Sequence, residues 1–232
     1  MPDIVYPVRP GEVNEELRFS LRSLRNLPDV GTVWIIGDMP KWVRGVKMID
    51  GGNPTKNPHA NVYRNVLLAM QHDGLPEDVV IFNDDFFITE PVDSLPIGYR
   101  STLAEHLNLP MLRTSTKSWW KESLVMTQAC LHAQEIDDPL SYELHIPFPV
   151  KRSLMRATLE QFQRVTPDNP PQWRSLYGNL HPDPSAQRLK DGKQFRPGVL
   201  QYPFMSTTDL SWRHYRAAML KLFPDPSPYE DS

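Results

Sequence analysis

A chain of 232 residues is long for one small domain and short for two, and its 40% hydrophobic and 23% charged content is that of a globular protein with a sizeable core. A formal net charge of −3 gives no electrostatic case for nucleic-acid binding, so an acidic ligand must be held by a local patch. The single cysteine, Cys130, excludes an intramolecular disulfide framework; with no signal-peptide pattern and no apolar run of the roughly 18 residues a membrane span needs, a cytoplasmic protein without a membrane span is expected.

Residues 3–8, DIVYPV, read as a first strand. In the helix that follows, Leu17, Leu21 and Leu24 recur at helical spacing, Asn14 is placed as N-cap, Glu15 and Glu16 lie in the first turn, and Arg22 and Arg25 lie near the end. Segments 32–38 and 46–50 read as strands, and 60–71 as a helix apolar on more than one face, hence sandwiched. The continuous apolar run 78–82 is the signature of a strand covered on both faces. Helices are expected around 121–134, 150–165 and 210–222, joined by proline-rich loops at 166–173 and 181–185. This alternation predicts a single α/β domain over 1–224, with a mostly parallel central sheet flanked by helices, and a flexible tail over 225–232.

The chemistry centres on VVIFNDDFFITEP, residues 79–91. A strand that delivers Asn83, Asp84 and Asp85 at its carboxyl end places hard oxygen ligands at the floor of a cleft, where Mg²⁺ or Mn²⁺ can bridge them to phosphates. The competing reading is a turn, with Asn83 and Asp84 capping backbone groups and Asp85 meeting a lysine or arginine. A calcium loop of the EF-hand type is excluded, because NDDFFITEPVDS lacks its acidic alternation, central glycine and terminal glutamate.

The stretch VVIFNDDFFITEPV resembles the strand and D-x-D-type element of GT-A-fold glycosyltransferases, and more specifically the second conserved block of the Stealth family of sugar-phosphate transferases. DIVYPV is similar to the opening Stealth block, residues 14–43 to the helix-strand part of the second, ELHIPFPVKRSLMRATLEQF to the third, and PFMSTTDLS to the fourth. The resemblance implies a GT-A-like fold, a nucleotide-sugar donor and a divalent metal at Asp85 with Asp84 beside it, Asn83 standing where many such motifs carry aspartate. It further implies a catalytic or metal-proximal role for His145, and a role as second metal ligand or base for Asp209. The opening block departs from the pattern at Arg9 and Pro10, and Arg9 is suited to grip a diphosphate bidentately.

Further candidates come from the residues themselves. Glu143 lies on the same side as His145 if that segment is extended, and either can act as general base toward an acceptor hydroxyl. Lys56, Asn61 and Arg64, around a helix N-terminus, are donor-contact candidates, and Asp38 at a strand end is placed to hold a base or ribose. His59 is placed to reach phosphate, and His181 and His214 are possible third metal ligands. Trp119 and Trp120 offer a sugar-stacking face or core packing, and Lys151, Arg152 and Arg156 a phosphate cluster or a solvated face. The sequence thus predicts a metal-dependent transferase acting on a glycan or protein acceptor. Glycosyl transfer is the first branch, sugar-1-phosphate transfer the alternative, and a non-catalytic carbohydrate-binding protein on the same scaffold the reading from another class.

Overall fold

The computed structural model describes residues 1–114 and 118–231. Its centre is a five-stranded sheet built from β1 (Asp3–Val8), β2 (Val33–Gly37), β3 (Lys47–Ile49), β4 (Asp78–Ile81) and a later edge strand, Phe148–Lys151. In spatial order β3, β2, β1 and β4 run parallel, and the edge strand pairs antiparallel with β4 through Ile81 opposite Phe148. The sheet is therefore mostly parallel, as its run of apolar strands predicts; Ile4, Val5, Ile35, Ile36 and Ile81 have no exposed surface.

Helix α1 (Glu15–Ser23) covers one face through Leu17 and Leu21, and Asn14 caps it by accepting a hydrogen bond from the Leu17 amide at 3.1 Å. Helix α2 (Pro58–Gln71) packs Tyr63, Val66 and Met70 on the opposite face, and starts two residues earlier than its apolar pattern because Asn57 caps it and Pro58 opens it. After β4 a short strand, β5 (Phe86–Ile88), leaves the main sheet. It pairs antiparallel with a distant strand, Phe204–Ser206, with Ser206 opposite Phe86.

In the C-terminal half, α3 (Trp119–His132) lies close to its expected place. The segment expected as one helix over 150–165 is the edge strand, β6 (Phe148–Lys151), running directly into α4 (Arg152–Phe162). The β-branched and aromatic residues at its start pair with β4 before the helical pattern begins. Beyond the proline-rich loop comes a helix not foreseen, α5 (Trp173–Leu180), then β7 (Phe204–Ser206) and α6 (Asp209–Leu222). The tail expected to be flexible is held against the fold through Ser227 to Asp231, Ser232 lying outside the described residues. The Glu230 carboxylate takes two hydrogen bonds from the buried Arg22 guanidinium, at 2.7 and 2.8 Å, and the Asp231 amide bonds to the Trp42 carbonyl at 2.9 Å. No helix of the described residues is long and apolar enough to cross a membrane.

Candidate active site

The strand order reverses direction at β1, which lies between β2 and β4, and in open α/β sheets that switch point opens a crevice at the carboxyl ends of the strands. Arg9 follows β1 there, and Asn83, Asp84 and Asp85 follow β4. The β5–β7 ladder then brings in Ser206 to Asp209 from far along the chain. The result is a cavity of about 300 Å³ lined by Arg9, Glu16, Asp84, Asp85, Lys193 and Asp209, with Asn83, Thr207 and Thr208.

Its charges are unequal, with four carboxylates facing two basic groups. Arg9 reaches Asp209 at 2.5 Å, Glu16 at 3.2 Å and Asp84 at 3.5 Å. Asp84 also accepts from the Asn14 amide at 2.9 Å, so the N-cap of α1 helps hold it. Asp85 takes the Lys193 ammonium and, at 3.0 Å, the Ser206 hydroxyl. Burial pushes the Glu16 carboxyl up to about 7, opposed by its hydrogen bond from Thr207 and reinforced by the negative charges of Asp85 and Asp84. Asp84 is raised for the same reasons, burial first and the Asp85 charge second. Asp209, by contrast, is held low by its hydrogen bond to Arg9.

A second, smaller cavity of about 160 Å³ shares Asn83 with the first and is lined by His145, Glu143, Trp120 and Arg174 among others. Arg174 rises from the second residue of α5, is only 8% exposed and lies over the Trp173 ring at 4.3 Å and the Phe86 ring at 5.5 Å. Among the described residues its side chain makes a single hydrogen bond, to the Asn83 side-chain oxygen at 3.3 Å, and its Nε is buried without a partner. Burial disfavours its charged form, so an under-bonded guanidinium faces a small cavity.

His145 presents its ring to the same cavity because Asp191 holds it from behind. The Asp191 carboxylate meets His145 Nδ1 at 3.0 Å and its backbone amide at 2.9 Å, and pairs with Arg100. Burial works to raise Asp191, but His145 and Arg100 outweigh it and keep it below the usual carboxylate range. An ionised Asp191 favours the tautomer with its proton on Nδ1, which leaves the Nε2 lone pair unprotonated. Gly192 follows, where a Cβ would come within 3.0 Å of the His145 carbonyl and 3.2 Å of the Phe204 carbonyl, so a side chain there would push these carbonyls by a few tenths of an ångström. One turn of loop therefore carries Asp191 to His145 and Lys193 to Asp85.

Of the residues singled out from sequence, Arg9, Asn83, Asp84, Asp85 and Asp209 converge in the larger cavity, and His145 and Glu143 in the smaller, with Asn83 at the boundary. Glu143 is buried and anchored, accepting from the Ser175 amide at 3.1 Å and hydroxyl at 2.8 Å, and burial raises its pKa. It thus braces α5 rather than standing free as a base. Asn61 is not available to a donor, because its amide is spent on Thr55: its oxygen accepts from the Thr55 amide and its nitrogen donates to the Thr55 carbonyl. Asp38, Lys56 and Arg64 are exposed around the ends of β2 and α2, with Asp38 accepting from Asn53 at 2.9 Å.

His59 bonds the Pro170 carbonyl at 2.9 Å and is pushed down to about 4 by burial, so it is a neutral wall of the smaller cavity. His181 bonds Thr158, His214 sits on exposed α6 beside Arg213, and neither lines the carboxylate cavity. Lys151 and Arg156 are paired with Asp78 and Glu160, at the far end of the sheet. Trp119 is half exposed, whereas Trp120 lines the smaller cavity.

Among the described residues no three His, Cys, Asp or Glu side chains are grouped to cage a metal by themselves. The donors present are a carboxylate pair in a cavity with surplus negative charge, which suits a divalent ion that completes its shell with phosphate and water.

No protein-family model matches the chain. An exopolysaccharide phosphotransferase of Nocardia farcinica is 29% identical over 168 residues, 64% of this chain and 32% of that protein. A second, from Streptomyces coelicolor, is 25% identical over a 270-residue alignment covering 93% of this chain and 49% of that protein. The chain thus spans a third to a half of the length of these curated relatives. Among solved structures, the galactosyltransferase LgtC in complex with donor and acceptor sugar analogues superposes with a TM-score of 0.53 at 8% identity, covering 99% of this chain and 98% of that one. That likeness is one of fold. The chain has a GT-A-like α/β fold, and the curated proteins it matches in sequence are named exopolysaccharide phosphotransferases.

Proposed function

We propose that the chain transfers a sugar phosphate from a nucleotide-sugar donor to a hydroxyl on a glycan or protein. The observation that carries this is the junction at Asn83, where a carboxylate cavity adjoins a pocket holding the under-bonded Arg174 guanidinium and the His145 ring. A buried arginine with free donors suits a phosphate in the reacting position, and the printed names of the curated relatives point the same way. Sugar-phosphate transfer is therefore placed ahead of the glycosyl transfer expected first from the sequence.

The acceptor oxygen forms a bond to the sugar-bearing phosphorus while the bond to the bridging oxygen of the diphosphate breaks, releasing a nucleoside monophosphate. His145 Nε2 takes the acceptor proton, with Asp191 holding the ring's orientation. Arg174 stabilises charge on the transferring phosphate. Asp85 with Asp84 would hold Mg²⁺ or Mn²⁺, which supplies positive charge against the leaving phosphate. Arg9, locked to three carboxylates, shapes that cavity. Asp38, which directly follows β2, and the exposed Lys56 and Arg64 around α2 are the candidates for the nucleoside.

The test is the nucleotide product. Purified protein with Mn²⁺, a panel of nucleotide sugars and an envelope-glycan acceptor should release nucleoside monophosphate in step with a phosphodiester-linked product. Release of nucleoside diphosphate instead would assign glycosyl transfer.

A further inference from the structure

Lys193 does not reach Asp85 from a loose loop. Its backbone bridges to Ser206, the Gln194 amide bonds the Ser206 carbonyl at 2.8 Å, and the Ser206 amide bonds the Gly192 carbonyl at 3.0 Å. The ammonium, on a side chain 12% exposed, sits on Asp85 Oδ2 and 3.2 Å from the Ser206 hydroxyl, which itself donates to the same oxygen. The oxygen of Asp85 best defined by its neighbours is thus already occupied by a cation belonging to the chain.

We propose that Lys193 is a tethered counter-ion of Asp85 which a divalent cation displaces, and that the freed ammonium then binds the donor's diphosphate. The inference rests on the reading of Asp84 and Asp85 as the metal-holding pair. An ammonium and a divalent ion on one carboxylate oxygen repel each other strongly in a partly desolvated cavity, so one must leave. Arg9, the other cation in the cavity, is half exposed and pairs with Asp209, Glu16 and Asp84 rather than Asp85, so a cation arriving on Asp85 meets Lys193, whose stem has four rotatable carbons within a space of about 300 Å³. Displaced from Asp85, the ammonium remains in the cavity where phosphate oxygens must lie.

Metal and diphosphate are then coupled, and coupling of binding free energies is reciprocal: each ligand strengthens the other. The protein alone holds the metal weakly because Lys193 competes for Asp85.

The test is a titration of the full chain with Mn²⁺ alone, free ion being followed by electron paramagnetic resonance, and again with inorganic pyrophosphate. Lys193→Met should bind Mn²⁺ roughly tenfold more tightly than the wild type, as expected for removal of a like charge a few ångströms away. It should also bind pyrophosphate more weakly when Mn²⁺ is saturating. Lys193→Arg keeps the charge, so it should bind Mn²⁺ as weakly as the wild type, and it serves as the check on folding. Mn²⁺ affinity in Lys193→Met no greater than in the wild type would overturn the role given to Lys193 and leave the metal reading standing. If pyrophosphate binds without any Mn²⁺ uptake by wild type or variants, the metal reading falls and this inference falls with it.

Discussion

Arg174→Met should make the protein more stable and remove the phosphate binding proposed for that residue. The guanidinium is 92% buried by the measure of its 8% exposure, makes one hydrogen bond of 3.3 Å, and leaves Nε without a partner. Burying an incompletely paired ion costs several kcal/mol after relaxation. Against this, stacking on Trp173 and Phe86 returns about 0.5–2 kcal/mol and the hydrogen bond to Asn83 about 1 kcal/mol, and the negative charges of Glu143, Asp85 and Asp191 also favour the guanidinium. Methionine fills a similar volume without the charge, so the net gain is at most about 1–2 kcal/mol, a rise in Tm of up to about 8 °C for a chain of this size. Thermal unfolding of the ligand-free proteins by circular dichroism measures this, with pyrophosphate titration of the same samples alongside. A stability cost borne for function is the expected signature of a binding site. A variant that melts several degrees lower while still binding pyrophosphate would show that Arg174 is a structural counter-ion and refute the pocket assigned to it.

Asp191→Asn should lower kcat by about 10- to 100-fold with little change in KM, because a charge-assisted hydrogen bond worth about 1.5–3 kcal/mol no longer holds the His145 ring; an unchanged kcat would remove Asp191 as a positioning residue. Glu230→Gln should destabilise the fold by about 3–5 kcal/mol, since it leaves Arg22 buried without its counter-charge, whereas Arg22→Met combined with Glu230→Leu should cost far less; urea midpoints decide, and equal losses would contradict the account. Glu16 is raised from 4.5 to about 7, so the folded state holds its proton more tightly than the unfolded chain. The stability this confers is present below the ordinary carboxylate range and is lost as pH rises through about 7, by at most about 3 kcal/mol. Glu16→Gln should flatten that decline in urea denaturation between about pH 5 and 8, and an undiminished slope would assign it elsewhere.

The first half of the fold is readable because its signals are local. Leu17, Leu21 and Leu24 mark one face of α1, and the unbroken run to Ile81 announces a doubly covered strand, so the carboxyl-end position of Asp84 and Asp85 follows from pattern alone. The partners of those aspartates are not local. Lys193 lies 108 residues from Asp85 and reaches it only because β7 pairs with β5, a ladder of three residues that no periodicity declares. Arg174 was hidden for a different reason: proline clusters read as loop, and α5 begins directly after them with Trp173. Its one advance sign was a basic residue next to a tryptophan in a turn otherwise without charge. The misreading of β6 as helix arose where strand passes to helix without a turn between Lys151 and Arg152. Asn61, by contrast, was rightly placed on α2 but has its amide turned inward to Thr55, a contact set by the shape of the preceding loop.

The measurement closest to the centre of this account follows the phosphorus. With a nucleotide sugar carrying ¹⁸O on the non-bridging oxygens of its sugar-proximal phosphate, ³¹P NMR of the reaction with Mg²⁺ and a glycan acceptor should show that phosphate in a new phosphodiester, with unlabelled nucleoside monophosphate released and both signals absent in Asp85→Asn. Retention of the label in a nucleoside diphosphate, with the sugar alone passed to the acceptor, would contradict it.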